Sequence, residues 1–261
     1  MTTGGAKSGT VYIVGAGPGD PDLITLRGQR LLSTADAVFY AGSLVPEGML
    51  RWCRADALLV DTRTSTLEAI LPHMFALIEA GKSIVRLHSG DPCLYGATHE
   101  QMAALLEAGV EFEIVPGISA FQAAAASLKV ELTVPGLVQT IILTRTSGRT
   151  GMPESEELAA LAAHRASLCL YLSARHAREC EAKLLAHYPP DTPVAICYRL
   201  GWPDERIVRA RLDQMAAVTR DEKLIRTTLY LISPALAATP ARSRLYNPTH
   251  SHLFRPSQTA T

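Results

Sequence analysis

Three apolar runs in the first half of the chain each lead into a loop that contains glycine. Residues 11–14 precede the loop 15–20, residues 84–87 precede the loop 89–92, and residues 112–115 precede the loop 116–120. Helical patterns separate these runs, and strands that alternate with helices favour a parallel sheet. In such a sheet the three loops lie along one edge, where open α/β sheets bind their ligands. The sequence therefore predicts that these three loops form one part of a ligand-binding site.

The remaining periodicity predicts further strands and helices in both halves of the chain. Ser65 followed by Glu68 is a capping-box pattern, and Gly81 fits the end of the helix that begins there. In the second half two predicted strands follow one another without a helix, which favours a mixed sheet. The other predicted strands are 37–40, 57–60, 140–144, 168–172, 194–199, 206–210 and 228–232. The other predicted helices begin at residue 23 or span 98–108, 120–128, 154–163, 174–187 and 212–218.

The length of 261 residues favours two domains rather than one. We expect a disordered N-terminus over residues 1–10, a first α/β domain over 11–132 and a second over 133–236. The boundary lies in the segment 130–136, which contains Pro135. Residues 237–261 are rich in Ala, Pro, Ser, Thr and Arg with little periodicity, which predicts a mobile tail.

The composition disfavours several classes of function. The chain has 25 basic and 25 acidic residues, so it lacks the net positive charge of a typical nucleic-acid or acidic-membrane binder. Five scattered cysteines form no Cys-x-x-Cys pair, which predicts reduced thiols in a cytoplasmic protein. The eight histidines show no ligand spacing, so we expect no metal. The balanced charge predicts no nucleic-acid partner, and since no stretch approaches about 18 apolar residues, we expect no membrane as a partner either.

The first glycine loop partly matches a dinucleotide-binding fingerprint. Counted from Gly15, the fingerprint requires glycine or alanine at the position of Asp20, and Pro18 stiffens the turn. The acidic residue that binds ribose should follow the second strand, where this chain has Ala41. A nicotinamide-dependent oxidoreductase remains an alternative that these residues count against. A tight strand-to-helix turn without a ligand is the other interpretation of this loop.

Four segments in register resemble the tetrapyrrole methylases, S-adenosylmethionine-dependent enzymes of sirohaem and cobalamin biosynthesis. They are the loops 15–20, 89–92 and 115–120 and the strand 228–232. The resemblance covers residues 11 to about 234. It implies two α/β domains of the tetrapyrrole methylase fold, the first with a mainly parallel and the second with a mixed sheet. It also implies an active site in the cleft between the domains, S-adenosylmethionine as the methyl donor, and a homodimer.

Two further loops, 40–45 and 144–154, resemble the branch of this family that methylates C11 of precorrin-4. The implied activity is C-methylation in cobalamin biosynthesis, on precorrin-4 or its cobalt form. Methylation at another carbon of a precorrin is the nearest alternative. A binding module that keeps the fold without turnover is a third possibility.

By position, the resemblance implies donor-binding residues in both domains. Asp91 among them has two interpretations, a ligand of ribose or ammonium or the cap of an Asp-Pro turn. The first domain contributes Pro18, Ser89, Gly90, Asp91, Leu94, Tyr95, Ser119 and Ala120. The second contributes Leu172, Arg199, Leu200, Thr227 and Thr228.

The catalytic group is not identified by the resemblance. Relatives that methylate uroporphyrinogen have an aspartate just after the second strand, where this chain has Ala41. Ser43 and Arg63 are the candidates that remain near this position. For the substrate carboxylates we expect Arg145, Ser147 and Arg149, which open a loop after an apolar strand. His88 ends a buried strand just before the loop 89–92, so it could face the cleft, but a histidine in such a place is more often hydrogen-bonded within the strand.

Overall fold

The computed structural model describes residues 5–147 and 151–238, together with 251, 253 and 255. The chain divides into two compact units. The first extends to Ala124 and includes Arg199–Arg206, and the second comprises Ala125–Tyr198 and the chain from Ile207. Of the segments predicted to be disordered or mobile, residues 1–4 and most of 239–261 lie outside the described residues. Ala6 donates a backbone hydrogen bond to Thr34 Oγ1 (2.8 Å), and the first strand begins at Thr10.

The first unit is built on a five-stranded sheet in the order β3-β2-β4-β1-β5. All four strand pairs are parallel, which confirms the predicted sheet type. The order places β4, β1 and β5 side by side, so the three strands that lead into glycine loops are neighbours. The strands are β1 (Thr10–Gly15), β2 (Ala37–Tyr40), β3 (Leu58–Asp61), β4 (Ile84–His88) and β5 (Glu111–Val115).

Helices cover both faces of this sheet. One face carries Val11 and Ile13 and packs against Met74 and Leu105 of two helices, whereas the other carries Val14 and packs against the first helix. Because both faces are buried, the central strand β1 is largely apolar without alternation, and β4 is buried throughout its length. The helices are α1 (Leu26–Leu32), α2 (Leu67–Glu79), α3 (Thr98–Glu107) and α4 (Ala120–Leu128). Short 3₁₀ turns occupy Pro21–Leu23 and Glu47–Trp52.

The capping box predicted at the start of α2 is wrong. The N-cap is Thr66 rather than Ser65, and its side chain caps no backbone N–H. Glu68 therefore stands at the second helical position, one residue too early for the reciprocal bonds of a capping box. The predicted end is confirmed, because Gly81 has φ +72° and follows the C-cap Ala80.

The second unit has a five-stranded sheet in the order β6-β7-β10-β8-β9. β6 and β7 are parallel, whereas β10 is antiparallel to both of its neighbours, so the predicted mixed sheet is confirmed. The strands are β6 (Ile141–Arg145), β7 (Ser167–Tyr171), β8 (Pro193–Tyr198), β9 (Arg206–Arg211) and β10 (Thr228–Ile232).

Three helices pack on one face of this second sheet. The first two are shorter than their patterns predict, and the third has the predicted length but begins three residues later. Each follows a 3₁₀ turn, at Glu154–Glu156, Ala174–His176 and Leu212–Gln214. Their buried side chains, such as Leu158, Leu184 and Met215, meet Leu170, Ile196 and Tyr230 of the sheet. The helices are α5 (Leu158–Ala162), α6 (Ala177–Leu185) and α7 (Met215–Asp221).

Cys169, Cys180 and Cys197 are buried in this unit, while Cys93 of the first unit is exposed. Burial raises the pKa of the Cys169 thiol to about 12, so this group stays protonated. Across the part of the chain that the structure describes, no helix is both long enough and apolar enough to span a bilayer.

Candidate functional site

The three glycine loops of the first unit meet at the carboxyl edge of its sheet, as the sequence predicts. Gly17 and Gly90 exchange two backbone hydrogen bonds, with N···O distances of 3.2 and 2.7 Å. Ala16 N donates to His88 O (2.7 Å), and Gly117 N donates to Asp91 Oδ2 (2.9 Å). The loops therefore form one hydrogen-bonded assembly.

The glycines in this assembly allow the loops to pack against one another. A Cβ at Gly15 would lie 2.6 Å from Gly117 Cα and 2.7 Å from Gly90 O. A Cβ at Gly117 would overlap Gly90 O and lie 2.8 Å from Gly15 Cα. The space beside Gly15 is therefore filled by the backbone of the two neighbouring loops and is not open to a ligand. Gly17 and Gly90 are required for another reason, since they have φ values of +78° and +65°.

Asp91 connects two of the loops. Its Oδ1 accepts from Cys93 N (2.8 Å) within its own turn, and its Oδ2 accepts from Gly117 N (2.9 Å). Each carboxylate oxygen thus has a backbone donor, which confirms the turn-capping interpretation. Asp91 acts first as a structural link that fixes the loops expected to hold the donor.

The connection from β8 to β9 packs against the first glycine loop. A Cβ at Gly19 would lie 2.5 Å from both Leu200 O and Trp202 Cδ1. Arg199 stacks over the Trp202 ring at 4.0 Å and pairs with Asp204 at 2.7 Å. This packing explains why Arg199 and Leu200, which the sequence assigns to the second domain, belong to the first compact unit.

Left-handed backbone conformations occur at several of the predicted donor-binding positions. Eight non-glycine residues in the described ranges have positive φ, and four of them are donor-binding candidates: Tyr95, Leu172, Arg199 and Thr227. Such conformations cost about 1–3 kcal/mol each and concentrate at ligand-binding sites. Leu172 is also 69% exposed and Tyr95 42% exposed, which is unusual for side chains of this size.

The other donor-binding candidates differ in burial. Pro18, Ser119, Leu200 and Thr228 are buried, and the Thr228 hydroxyl donates to Leu224 O (2.8 Å). Ser89, Gly90, Leu94 and Ala120 are half-buried, and Thr227 is exposed.

The two catalytic candidates lie in the loops after β2 and β3. Ser43 is exposed in a turn closed by Leu44 N donating to Ala41 O (2.8 Å). Arg63 forms an ion pair with Asp61, whose Oδ1 also accepts from Gly42 N (3.0 Å). The pKa of Asp61 is lowered to about 2, and the largest cause is the hydrogen bond from Arg63. The charge of Arg63 is therefore already paired.

The substrate-binding candidates follow β6 in the second unit. Arg145 donates to the backbone carbonyls of Thr146 (3.4 Å) and Gly151 (3.1 Å). The Ser147 hydroxyl donates to Glu157, a bond that together with Lys183 lowers the pKa of that carboxyl group. The hydroxyl of Ser147 thus has a partner within its own unit. Arg149 lies outside the described residues.

Arg86 and His88 are two buried polar residues of β4 to which sequence reasoning gave no function. Arg86 is 8% exposed and donates from Nε to Gln101 Oε1 (3.1 Å) and from Nη1 to Thr62 Oγ1 (3.2 Å). His88 is 9% exposed, and its buried Nε2 atom has no hydrogen-bond partner within residues 5–147 and 151–238. This corrects the expectation that His88 is simply hydrogen-bonded. A charged residue within the apolar run 84–87 was the signal available in the sequence.

The described residues offer no cluster of three or more Cys, His, Asp or Glu side chains that could hold a metal ion.

Two curated relatives align over nearly the whole chain. The precorrin-4 C(11)-methyltransferase of Pseudomonas aeruginosa is 46% identical over 250 residues, which is 95% of this chain and 100% of the relative. The cobalt-precorrin-4 C(11)-methyltransferase of Methanocaldococcus jannaschii is 42% identical over 249 residues, covering 95% and 96%.

Solved structures share the fold. The X-ray structure of a cobalamin biosynthetic enzyme, cobalt precorrin-4 methyltransferase, superposes with a TM-score of 0.84 at 41% identity, covering 87% of this chain and 96% of that one. Uroporphyrin-III C-methyltransferase of Thermus thermophilus, solved in complex with S-adenosylhomocysteine, gives 0.72 at 28% identity, covering 87% and 99%. The sequence model of the family tetrapyrrole (corrin/porphyrin) methylases matches residues 10–216 of this chain. With its glycine loops joined at the edge of a parallel sheet, the chain belongs to the tetrapyrrole methylase family.

Proposed function

We propose that this protein is an S-adenosylmethionine-dependent methyltransferase of cobalamin biosynthesis that methylates C11 of precorrin-4 or cobalt-precorrin-4. The observation that carries the proposal is the hydrogen-bonded assembly of Gly17, Gly90, Asp91 and Gly117. It fixes the loops that the resemblance assigns to the donor. The relatives named for precorrin-4 and for its cobalt form, at 46% and 42% identity, support the substrate class.

The donor is proposed to bind at the positions that the resemblance indicates. S-adenosylmethionine has no phosphate, so backbone hydrogen-bonding groups beside apolar side chains suit it better than a basic cradle. The exposed apolar side chains of Tyr95 and Leu172 support this choice. The proposed donor-binding residues are Pro18, Ser89, Gly90, Asp91, Leu94, Tyr95, Ser119, Ala120, Leu172, Arg199, Leu200, Thr227 and Thr228.

The bound donor supplies an activated methyl group, and the task of the protein is to align the substrate carbon with it. Alignment of reactants at about 3–3.5 Å contributes much of the rate of such transfers. A strong base is not required for this step. This agrees with Ala41 at the position after β2 and with the pairing of Arg63 to Asp61. We further propose a cytoplasmic homodimer, as the family resemblance implies.

Calorimetric titration with S-adenosylhomocysteine tests the proposal, with NAD and NADP as controls. We expect one site per chain for S-adenosylhomocysteine and no binding of either dinucleotide. Incubation with S-adenosylmethionine and precorrin-4, or cobalt-precorrin-4, should then give a product methylated at C11. Binding of NAD or NADP alone would instead favour an oxidoreductase. Methylation at another carbon would move the enzyme to a different branch of the family.

Asp91→Ala should weaken the donor site through the loops rather than by loss of a ligand contact. The substitution leaves Gly117 N without its acceptor, and a stranded backbone donor costs about 1–3 kcal/mol. We expect the affinity for S-adenosylhomocysteine to fall about tenfold and the protein to lose stability in parallel. Asp91→Asn should behave similarly, because an amide cannot accept from both backbone donors.

The matched control for Asp91 is Asp56→Ala. Asp56 is exposed and pairs with Arg54 at 2.6 Å, a surface contact worth about 0–1 kcal/mol. The Asp56→Ala protein should keep nearly the same free energy of unfolding and the same affinity for S-adenosylhomocysteine as the parent. If Asp91→Ala lost donor affinity while unfolding at the same denaturant concentration as the parent, direct contact with the donor would be the better explanation.

A further inference from the structure

The β4 strand buries two polar side chains near its carboxyl end. Arg86 and His88 are two residues apart, so they project from the same face of the sheet. They are 8% and 9% exposed in a strand whose other members, apart from these two, are aliphatic. Burial of polar groups is costly unless they are paired, so this pair requires an explanation.

Arg86 is held by neutral partners. Its guanidinium donates to Gln101 Oε1 and Thr62 Oγ1, and Gln101 Nε2 in turn donates to Ala97 O (2.9 Å). Within the described ranges no carboxylate pairs with it. Burial lowers the pKa of Arg86 to about 10, which still leaves the group charged at neutral pH. The interior beside β4 therefore carries a positive charge.

His88 is uncharged beside this cation. Burial, and in second place the charge of Arg86, lowers the pKa of His88 to about 3. Its Nε2 atom has no hydrogen-bond partner among the described residues. A polar atom buried without a partner destabilises the folded protein, and a ligand that supplies the missing partner would recover that cost.

The position of His88 connects it to the proposed site. It is the last residue of β4 and directly precedes Ser89, Gly90 and Asp91. It pairs in register with Gly15 of β1, and the register of Tyr40 with Leu87 brings Ala41 beside it on the other side. Neither neighbour has a side chain larger than a methyl group, so the imidazole is the largest group at this point of the sheet edge.

The charge of Arg86 distinguishes between the two ligands of the reaction. The methyl donor carries a sulfonium, an ammonium and a single carboxylate, so its net charge is positive and a buried cation nearby repels it. A tetrapyrrole instead offers neutral pyrrole N–H groups and carboxylates, which can bond to a neutral imidazole beside an arginine. The electrostatics at His88 therefore favour the tetrapyrrole.

We propose that Nε2 of His88 forms a hydrogen bond with the tetrapyrrole substrate and positions it beside the methyl donor. This inference rests on the proposed methyltransferase function. It makes His88 a substrate-positioning residue that accepts no proton in the reaction. Since Nε2 is covered in the structure, a small rotation of the side chain accompanies the contact.

Three variants test this role: His88→Leu, His88→Asn and His88→Gln. An asparagine amide can replace Nδ1 but does not reach the position of Nε2, whereas a glutamine amide does. We expect kcat/KM for the tetrapyrrole to fall about tenfold or more in the Leu and Asn variants, the equivalent of one hydrogen bond. The Gln variant should remain within about threefold of the parent.

Two further measurements separate this role from a structural one. The affinity for S-adenosylhomocysteine should be unchanged in all three variants. The Leu variant should be at least as stable as the parent at pH 7, because it removes an unpaired buried polar atom. Full kcat/KM in both the Leu and Asn variants, or equal losses in Asn and Gln, would overturn the proposal. A loss of S-adenosylhomocysteine binding would overturn it as well by assigning His88 to the donor. If the parent itself bound no S-adenosylhomocysteine, the proposed function would fail first.

Discussion

Gly117→Ala is expected to separate the loops at the edge of the first sheet and to abolish most donor binding. The new methyl group would overlap Gly90 O and lie 2.8 Å from Gly15 Cα, and both are backbone atoms that cannot rotate away. Overpacking of this kind costs about 3 kcal/mol when the neighbours are rigid. Because Gly117 N also binds Asp91, the shift would disturb the loop 89–92. We expect the affinity for S-adenosylhomocysteine to fall at least about tenfold.

Gly48→Ala is the matched control for this substitution. Gly48 lies in the 3₁₀ turn Glu47–Trp52, and its nearest contact for a new Cβ is Pro21 Cγ at an ordinary 3.6 Å. The free energy of unfolding of the Gly48→Ala protein should differ from that of the parent by no more than about 0.5 kcal/mol. Chemical denaturation and calorimetry measure both effects. A Gly117→Ala protein with parental stability and affinity would show that the loops can part without consequence.

The second prediction is that His88 makes the stability of the protein depend on pH. His88 has a pKa near 6.5 when unfolded and about 3 when folded, so between these values the unfolded chain binds one proton more. The contribution of His88 to the free energy of unfolding is therefore fully present above about pH 6.5 and is lost as the pH falls below that value. Between pH 6.5 and 4.5 the loss should be about 2.5 kcal/mol, and His88→Leu should remove that slope.

The chosen pH window separates His88 from the carboxylates. Asp36 and Asp61 have pKa values lowered to about 2, so their contributions persist above their unfolded value of 3.8 and are lost only below it. Arg86, the charged group beside His88, stays protonated throughout. Urea denaturation of the parent and of His88→Leu at pH 4.5, 5.5 and 6.5 measures the slope. If the free energy of unfolding changed with pH in the same way for the two proteins, His88 would have to bind a proton equally in the folded and unfolded chain.

Local patterns were sufficient to predict most of the elements. The bounds of β2, α4 and β10 agree with the sequence prediction, since their composition and flanking residues mark both ends. The convergence of the three glycine loops also followed from sequence, because parallel strands place their carboxyl ends on one edge. The start of α2 could not be fixed in this way, because Ser65 and Thr66 are both good caps and only the backbone decides between them.

The site was less predictable where it depends on contacts between distant segments. The sequence shows that positions 15 and 117 are glycine, but only the fold shows that their backbones touch. The same holds for Asp91, whose second oxygen binds Gly117 N of another loop. The missing partner of His88 Nε2 could not be predicted either, because a short strand gives no information about what surrounds its last side chain.

The place of β10 in the second sheet has a consequence for how the protein is made. Residues 228–232 pair on one side with β7 and on the other with β8, so the last strand in the described part of the chain completes the middle of the sheet. Until then both neighbours have an edge with unsatisfied backbone groups, which can pair with other chains. Nascent or truncated chains that end before residue 228 should therefore aggregate rather than form a smaller folded domain.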